Sequence, residues 1–398
     1  MSRALLIGPT VRPPLVSSVA RDIGVPVAIR LAEMLFQLLF VAILDRGTSY
    51  SLASRFTIWD GQLYADIAQY GYPSRIVIAD HQLVQGKEFA FFPVYPALIA
   101  ATHTVTRLDF QAAEVLVAIV AGCVLSELVH LLVLARNGSR SQGYLAAALI
   151  GALPMAVVLQ MGYAEALLAA LSAGAYLAAL RGRWCLAGAL LFAAGLTRPV
   201  GYVAALAIPL LARRSAAVPL LARRAAAGLT LRQQRPILFA TLAGLASSPI
   251  FWIFVAIRTH RLTGWFDVEQ AGWGTHLDGG RETASFIWTT VSGQAAEPVV
   301  ASCVVISLAF YLSVIAVIAR RKDPAWFVLG VLALASVVLS TNYWHSKPRL
   351  LLAGVLLVIP LAQRMSARIK VLIPVVVIML ALSSWFGAYM ITQWPYAI

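Results

Sequence analysis

The chain has 398 residues, of which 60% are hydrophobic and 12% charged, and its mean hydropathy is +0.81. Soluble domains carry about a quarter charged residues, so a set of water-soluble globular domains is excluded. The formal net charge of +14 would suggest nucleic acid in a soluble protein. In a chain of repeated apolar runs, the same excess is what cytoplasmic loops of a membrane protein carry, and no nucleic-acid partner is expected.

Residues 1–23 hold Arg3, Arg12 and Arg21 among several prolines and read as a cytoplasmic tail. The first apolar run, from about Val25 to Leu44, lacks a small-residue cleavage site and reads as an anchor in the bilayer. A long polar loop follows, 45–111, and carries most of the chemistry. Within it, Ile58, Leu63, Ile67 and Tyr70 recur at helical spacing, which suits a helix lying at the membrane interface. Phe89–Val105 is apolar but interrupted by Pro93 and Pro96. As a spanning helix it would put the arginine-rich loops outside. As a juxtamembrane or re-entrant helix it leaves them inside, and the positive-inside bias selects that topology.

Further spans are expected at about 112–135, 142–160, 164–180, 184–197, 200–212, 236–257, 298–319, 325–340, 350–363 and 371–391. The fold class is therefore an all-α polytopic membrane bundle, with about eleven spans. Residues 1–398 form one domain with three elaborations: the outer loop 45–111, a second outer loop 258–297 and a basic cytoplasmic loop 213–235. Cys123, Cys185 and Cys303 all lie in apolar runs, so no disulfide framework is implied.

The polar residues with chemical potential collect on the outer face. WDG at 59–61 is followed by Asp66, and six residues on a helix turn the two carboxylates about 120° apart. Asp60 reads either as a helix N-cap beside the interfacial anchor Trp59 or as a general base near a half-buried site. Asp80 and Glu88 follow in the same polar loop. FFPVYP at 91–96, with Tyr95, suits an aromatic belt and equally the wall of a lipid or sugar site. Glu165, in GYAE, ends a span on the outer side, where it either caps a helix or binds a sugar hydroxyl.

Arg198, in TRPVG, and His345, Lys347 and Arg349, in HSKPR, are cations on the face that should be poor in them. A phosphate is their natural partner, set against simple snorkelling to headgroups. The 264–276 loop adds Trp265, Asp267, Glu269, Gln270, Trp273 and His276, which suit sugar recognition or an amphipathic interfacial helix. No HExxH, CxxC, P-loop or dinucleotide fingerprint occurs.

RxxxWDGxxYxxIAxxGYP followed by FFPxYP resembles the bacterial PIG-V-like mannosyltransferases of the GT-C membrane glycosyltransferase superfamily. The likeness continues through GYAEALLAAL, GLTRPVG, QAGWG and HSKPR. LLAGVLLVIP at 351–360 departs from the proline-rich run expected there.

The resemblance implies a GT-C bundle with a catalytic Asp in its first outer loop, matched by Asp60. It implies a polyprenyl-phosphate sugar donor, mannose in the best-known members, and inversion without a required metal or cofactor. It places the donor phosphate at Arg198, Lys347 and Arg349; the chemistry of the outer-face residues themselves suggests the substrate near Trp59, Asp66, Tyr95, Glu165, Gln270, Trp273 and His345. The acceptor would be a glycan, glycolipid or protein hydroxyl on the extracytoplasmic face of the cell membrane.

A transporter or flippase of a lipid-linked sugar is the competing reading. Such proteins favour sites at the midplane and inverted repeats, whereas these polar residues gather at one end and no repeat is evident. A non-catalytic scaffold would leave the outer charges unexplained.

Overall fold

The computed structural model describes residues 16–46, 51–79, 82–212, 231–320, 323–341, 343–365 and 369–398. Asp80, the first fifteen residues of the expected tail and most of the expected basic loop 213–235 lie outside the described residues. Apart from an antiparallel hairpin, Val77–Ala79 with Gln82–Gln85, the described chain is helical.

Among the described residues, six helical segments are long and apolar enough to cross a membrane: Gly24–Leu44, Phe110–Ala135, Gln234–Thr259, Pro298–Ala319, Trp344–Met365 and Leu372–Thr392. Glu165–Leu180, Trp184–Gly195, Pro199–Ala212 and Pro324–Val338 are apolar but shorter. A helix meets most of its own backbone hydrogen bonds, which a lipid environment requires.

Two expected elements take different forms. The run expected as one span over 142–160 is an α-helix, Arg140–Gly151, and a 3₁₀ turn, Ala156–Gln160. Pro154 cannot donate to a helical ladder, and Met155 has φ 61°, so the chain bends between them. Phe89–Val105 is not one apolar helix. A short 3₁₀ turn, Lys87–Ala90, leads through Phe91–Pro93 to the helix Val94–Thr106. Pro93 and Pro96 sit at its start, where prolines cost little.

Some of the helices pack closely through small residues. Trp184–Gly195 lies against the long helix Leu231–Thr259. A Cβ on Gly244 would come within 2.6 Å of the Ala205 side chain and 2.9 Å of Leu191. Without a hydrophobic drive between helices in lipid, close backbone approach is what holds them. Lipid-facing residues such as Leu35, Ile253, Ile306 and Leu382 remain exposed.

At one end of the bundle the short polar elements assemble into a cap. It contains the helix Asp60–Tyr70, the hairpin, the helices Val94–Thr106, Gly264–Trp273 and Arg281–Val291, and the turn before Arg349. A second apolar cluster, with Leu83, Phe89, Phe92, Phe251 and Val268, joins the hairpin to the Gly264–Trp273 helix.

Candidate functional site

The cap surrounds a cavity of about 330 Å³ lined by Asp60, Tyr64, Arg198, Glu269, Trp273 and Arg349, among others. Asp60 is the first residue of its helix, after Trp59. It is not the N-cap, and its side chain is free to leave the helix end. Trp59 holds φ 54° and ψ −109°, a conformation that costs a non-glycine residue about 1–3 kcal/mol. The strain is held from outside the loop. The Gly162 N–H donates to the Phe56 carbonyl at 2.7 Å, and the Tyr163 hydroxyl donates to the Ile58 carbonyl at 3.3 Å. This pinned turn aims Asp60 into the cavity instead of along its own helix.

Arg349 Nη1 donates to Asp60 Oδ2 at 2.6 Å, and Arg349 Nε lies 3.5 Å from Glu165 Oε1. Its guanidinium also sits 5.1 Å from the centre of the Tyr163 ring, a cation–π contact. Arg198 Nη1 donates to the same Glu165 oxygen. Asp60, Arg349, Glu165 and Arg198 therefore form one continuous chain of charge, two acids against two cations. Glu165 opens the helix Glu165–Leu180, where unpaired backbone N–H groups favour a carboxylate.

Glu269 stands across the cavity on the Gly264–Trp273 helix. Burial pushes its carboxyl up to about 7, against the opposing pull of Arg198 and a hydrogen bond with the Thr275 side chain. Tyr64 completes the wall. Its ring meets Phe91 and Tyr95 edge-on at 4.8 and 4.9 Å, and burial raises its phenol well above the usual range.

Of the residues singled out in the sequence, Asp60, Arg198, Trp265, Glu269, Trp273 and Arg349 line this cavity. Glu165 lies directly behind it, bound to both arginines, and so holds cations in place of a sugar hydroxyl. Lys347 is turned away from it. Its ammonium donates to the carbonyls of Val337 at 3.0 Å and Ser340 at 3.3 Å, closing the end of the helix Pro324–Val338. A cation beside the orphan carbonyls of a helix C-terminus is the favoured arrangement, and it draws Lys347 away from the cavity.

His345 also faces elsewhere, with Nε2 donating to the Ala397 carbonyl at 2.6 Å and the ring among Tyr343, Trp344 and Trp394. Tyr95 is fully buried below Tyr64, and its hydroxyl donates to the Glu114 carbonyl at 2.8 Å. Trp59 packs into the core beside the site. Asp66 and Gln270 are exposed and do not line the cavity.

Glu269 takes the place expected for Gln270. Neighbouring residues of a helix differ by about 100°, so choosing the adjacent position selects another face. The signal was present in the sequence: Trp265, Glu269 and Trp273 repeat every four residues, and all three line the cavity.

Beneath Asp60, Glu114 is wholly buried on the helix Phe110–Ala135 and, among the described residues, has no hydrogen-bond partner at either carboxyl oxygen. Gly61 and Gly162 leave room for it. A Cβ at Gly162 would come within 2.3 Å of Glu114 Oε1.

Fold and site together define a polytopic helical membrane protein with a pocket of paired charges at one end of its bundle. Among solved structures the chain is similar to the oligosaccharyltransferase of Archaeoglobus fulgidus, at 12% identity over 92% of this chain and 56% of that one, with TM-score 0.47. It is also similar to ArnT from Cupriavidus metallidurans bound to undecaprenyl phosphate, at 12% identity over 96% of this chain and 76% of that one, with TM-score 0.46. The chain thus spans little more than half the length of the archaeal enzyme. No protein-family profile and no curated protein matches it.

Proposed function

We propose that the protein is an inverting membrane glycosyltransferase of the GT-C type. In this reading it moves a sugar, mannose by the resemblance of its motifs, from a polyprenyl-phosphate donor to a hydroxyl of a glycan, glycolipid or protein. The observation that supports this best is the meeting of Asp60 with Arg349 and Arg198 in one cavity, although the three lie far apart in sequence.

The chemistry uses each group once. The acceptor oxygen attacks the anomeric carbon as its proton passes to Asp60. The bond from that carbon to the phosphate oxygen breaks, and the electron pair leaves with the polyprenyl phosphate. Arg198 and Arg349 stabilise the charge that develops there, in a setting where fixed donors are worth more than in water. Arg349 holds Asp60 in the resting site, so arrival of the phosphate relieves Asp60 of its partner and frees it to take a proton. Glu165 keeps the two guanidiniums together before the donor arrives. Glu269, Trp265 and Trp273 form the opposite wall, where an acceptor sugar would stack on an indole and donate a hydrogen bond to the carboxylate. The active site lies on the extracytoplasmic face in this assignment, because the arginine-rich turns lie at the other end.

The test is transfer by the purified protein from radiolabelled polyprenyl-phosphate-mannose, with the glucose and galactose donors in parallel. Transfer from the mannose donor to a glycan, lipid or peptide acceptor supports the reading. Transfer from another sugar alone refutes mannose. Movement of intact donor across a vesicle membrane, with no transfer, supports a flippase instead.

A further inference from the structure

A second cavity, about 600 Å³, runs along the bundle from Leu98, Leu116 and Leu167 at one end to Arg181 and Arg183 at the other. It is a groove between the helices Phe110–Ala135, Glu165–Leu180 and Trp184–Gly195, and it is lined almost wholly by aliphatic side chains. Leu98, Val120, Val124 and Leu186 on its rim are exposed, so it opens sideways toward the bilayer. At one end stand Arg181 and Arg183, both exposed. They flank Gly182, whose φ of 74° makes the tight turn that brings two guanidiniums to the groove mouth. Among the described residues neither side chain has a hydrogen bond or salt bridge.

We infer that this groove is a binding site for an anionic phospholipid, with one acyl chain between the helices and the headgroup phosphate on Arg181 and Arg183. Length and charge both select that occupant. The groove follows the helix Phe110–Ala135 from Leu116 to Leu128, about 18 Å at 1.5 Å per residue. Half of a hydrocarbon core of about 30 Å is close to that, so the groove matches a chain from one leaflet. The two arginines complement a phosphate and leave a zwitterionic headgroup with no counterpart for its choline.

A polyprenyl-phosphate occupant fits less well. The Glu165–Leu180 helix has 16 residues, so Arg181 lies about 24 Å from Glu165 and its two arginine partners. A polyprenyl phosphate held at Arg181 would present its phosphate at the wrong end. The bound phospholipid would tie together three helices that carry Glu165, Glu114 and the approach to Arg198.

The experiment is native mass spectrometry of the full-length protein released from micelles doped with palmitoyl-oleoyl phosphatidylglycerol, phosphatidylcholine or undecaprenyl phosphate. Phosphatidylglycerol should be retained in preference to phosphatidylcholine. The double variant R181Q/R183Q should lower its retention about thirtyfold, the worth of two arginines beside an anionic surface. V124W, which fills the groove without touching charge, should displace it too, and R281Q at the opposite end should leave it unchanged. Equal retention of the two phospholipids would overturn the inference. So would undecaprenyl phosphate displacing phosphatidylglycerol, or unchanged retention in both R181Q/R183Q and V124W.

Discussion

Replacing Glu165 by Gln probes the charge chain at its centre. Glu165 contacts Arg198 directly and lies 3.5 Å from Arg349 Nε, with all three side chains largely buried. At an effective dielectric of about 20, opposite charges about 4 Å apart attract by roughly 4 kcal/mol. Removing one partner of a buried pair typically costs about 3–5 kcal/mol, because the other is left without compensation. Glu165→Gln keeps the shape and removes the charge, leaving two arginines to share Asp60. The protein should therefore lose about 3–5 kcal/mol of stability, read as a lowered unfolding midpoint in detergent. Its affinity for undecaprenyl phosphate should move the opposite way and tighten about tenfold, since an incoming phosphate no longer competes with a resident carboxylate. Isothermal titration at constant salt measures that second effect. Unchanged or weaker lipid-phosphate binding in a folded Glu165→Gln protein would refute the assignment of Arg198 and Arg349 to the phosphate.

Three other outcomes follow from the same geometry. Burial raises Glu269 to about 7 in the fold, above the 4.5 of an ordinary Glu. Between those two pH values the folded state binds the extra proton, so Glu269's contribution to stability is full below about 4.5, declines as pH rises to about 7 and is flat above. Glu269→Gln should remove that slope from the unfolding midpoint, and a slope that persists unchanged would contradict the assignment. Lys347→Met should cost about 1–3 kcal/mol by leaving the Val337 and Ser340 carbonyls short of a donor. Lipid-phosphate affinity should stay within twofold in that variant, and a large loss would return Lys347 to the phosphate site. Gly162→Ala would force a Cβ against Glu114, and overpacking of that kind costs about 1–3 kcal/mol. A Gly162→Ala protein as stable as the parent would show that Glu114 can move aside.

The apolar helices were legible because runs near 20 residues have no other stable setting. Their breaks at Pro93 and Pro154 were visible as prolines, yet their outcome was not. A proline marks where a ladder fails but does not say which way the chain turns. Asp60, Arg198 and Arg349 stood out as charge within apolar surroundings, and that contrast survives the absence of coordinates.

Roles that depend on direction were not legible. Lys347 and Arg349 are two residues apart, and one closes a helix end while the other enters the cavity. Glu269 and Gln270 adjoin, and only Glu269 faces the cavity. Which side of a short turn a side chain takes is decided by packing partners distant in sequence, such as Tyr163 beneath Arg349. The hairpin was missed because its strands are only three and four residues long and are only partly buried.

The most direct measurement is made on Asp60→Asn, with sugar transfer and donor-lipid binding recorded on the same preparation. The role of Asp60 as base requires transfer to fall at least about a hundredfold, the usual worth of a positioned base, while the lipid phosphate still binds at Arg198 and Arg349. Transfer at the parental rate would contradict it, as would loss of lipid-phosphate binding in a protein that remains folded.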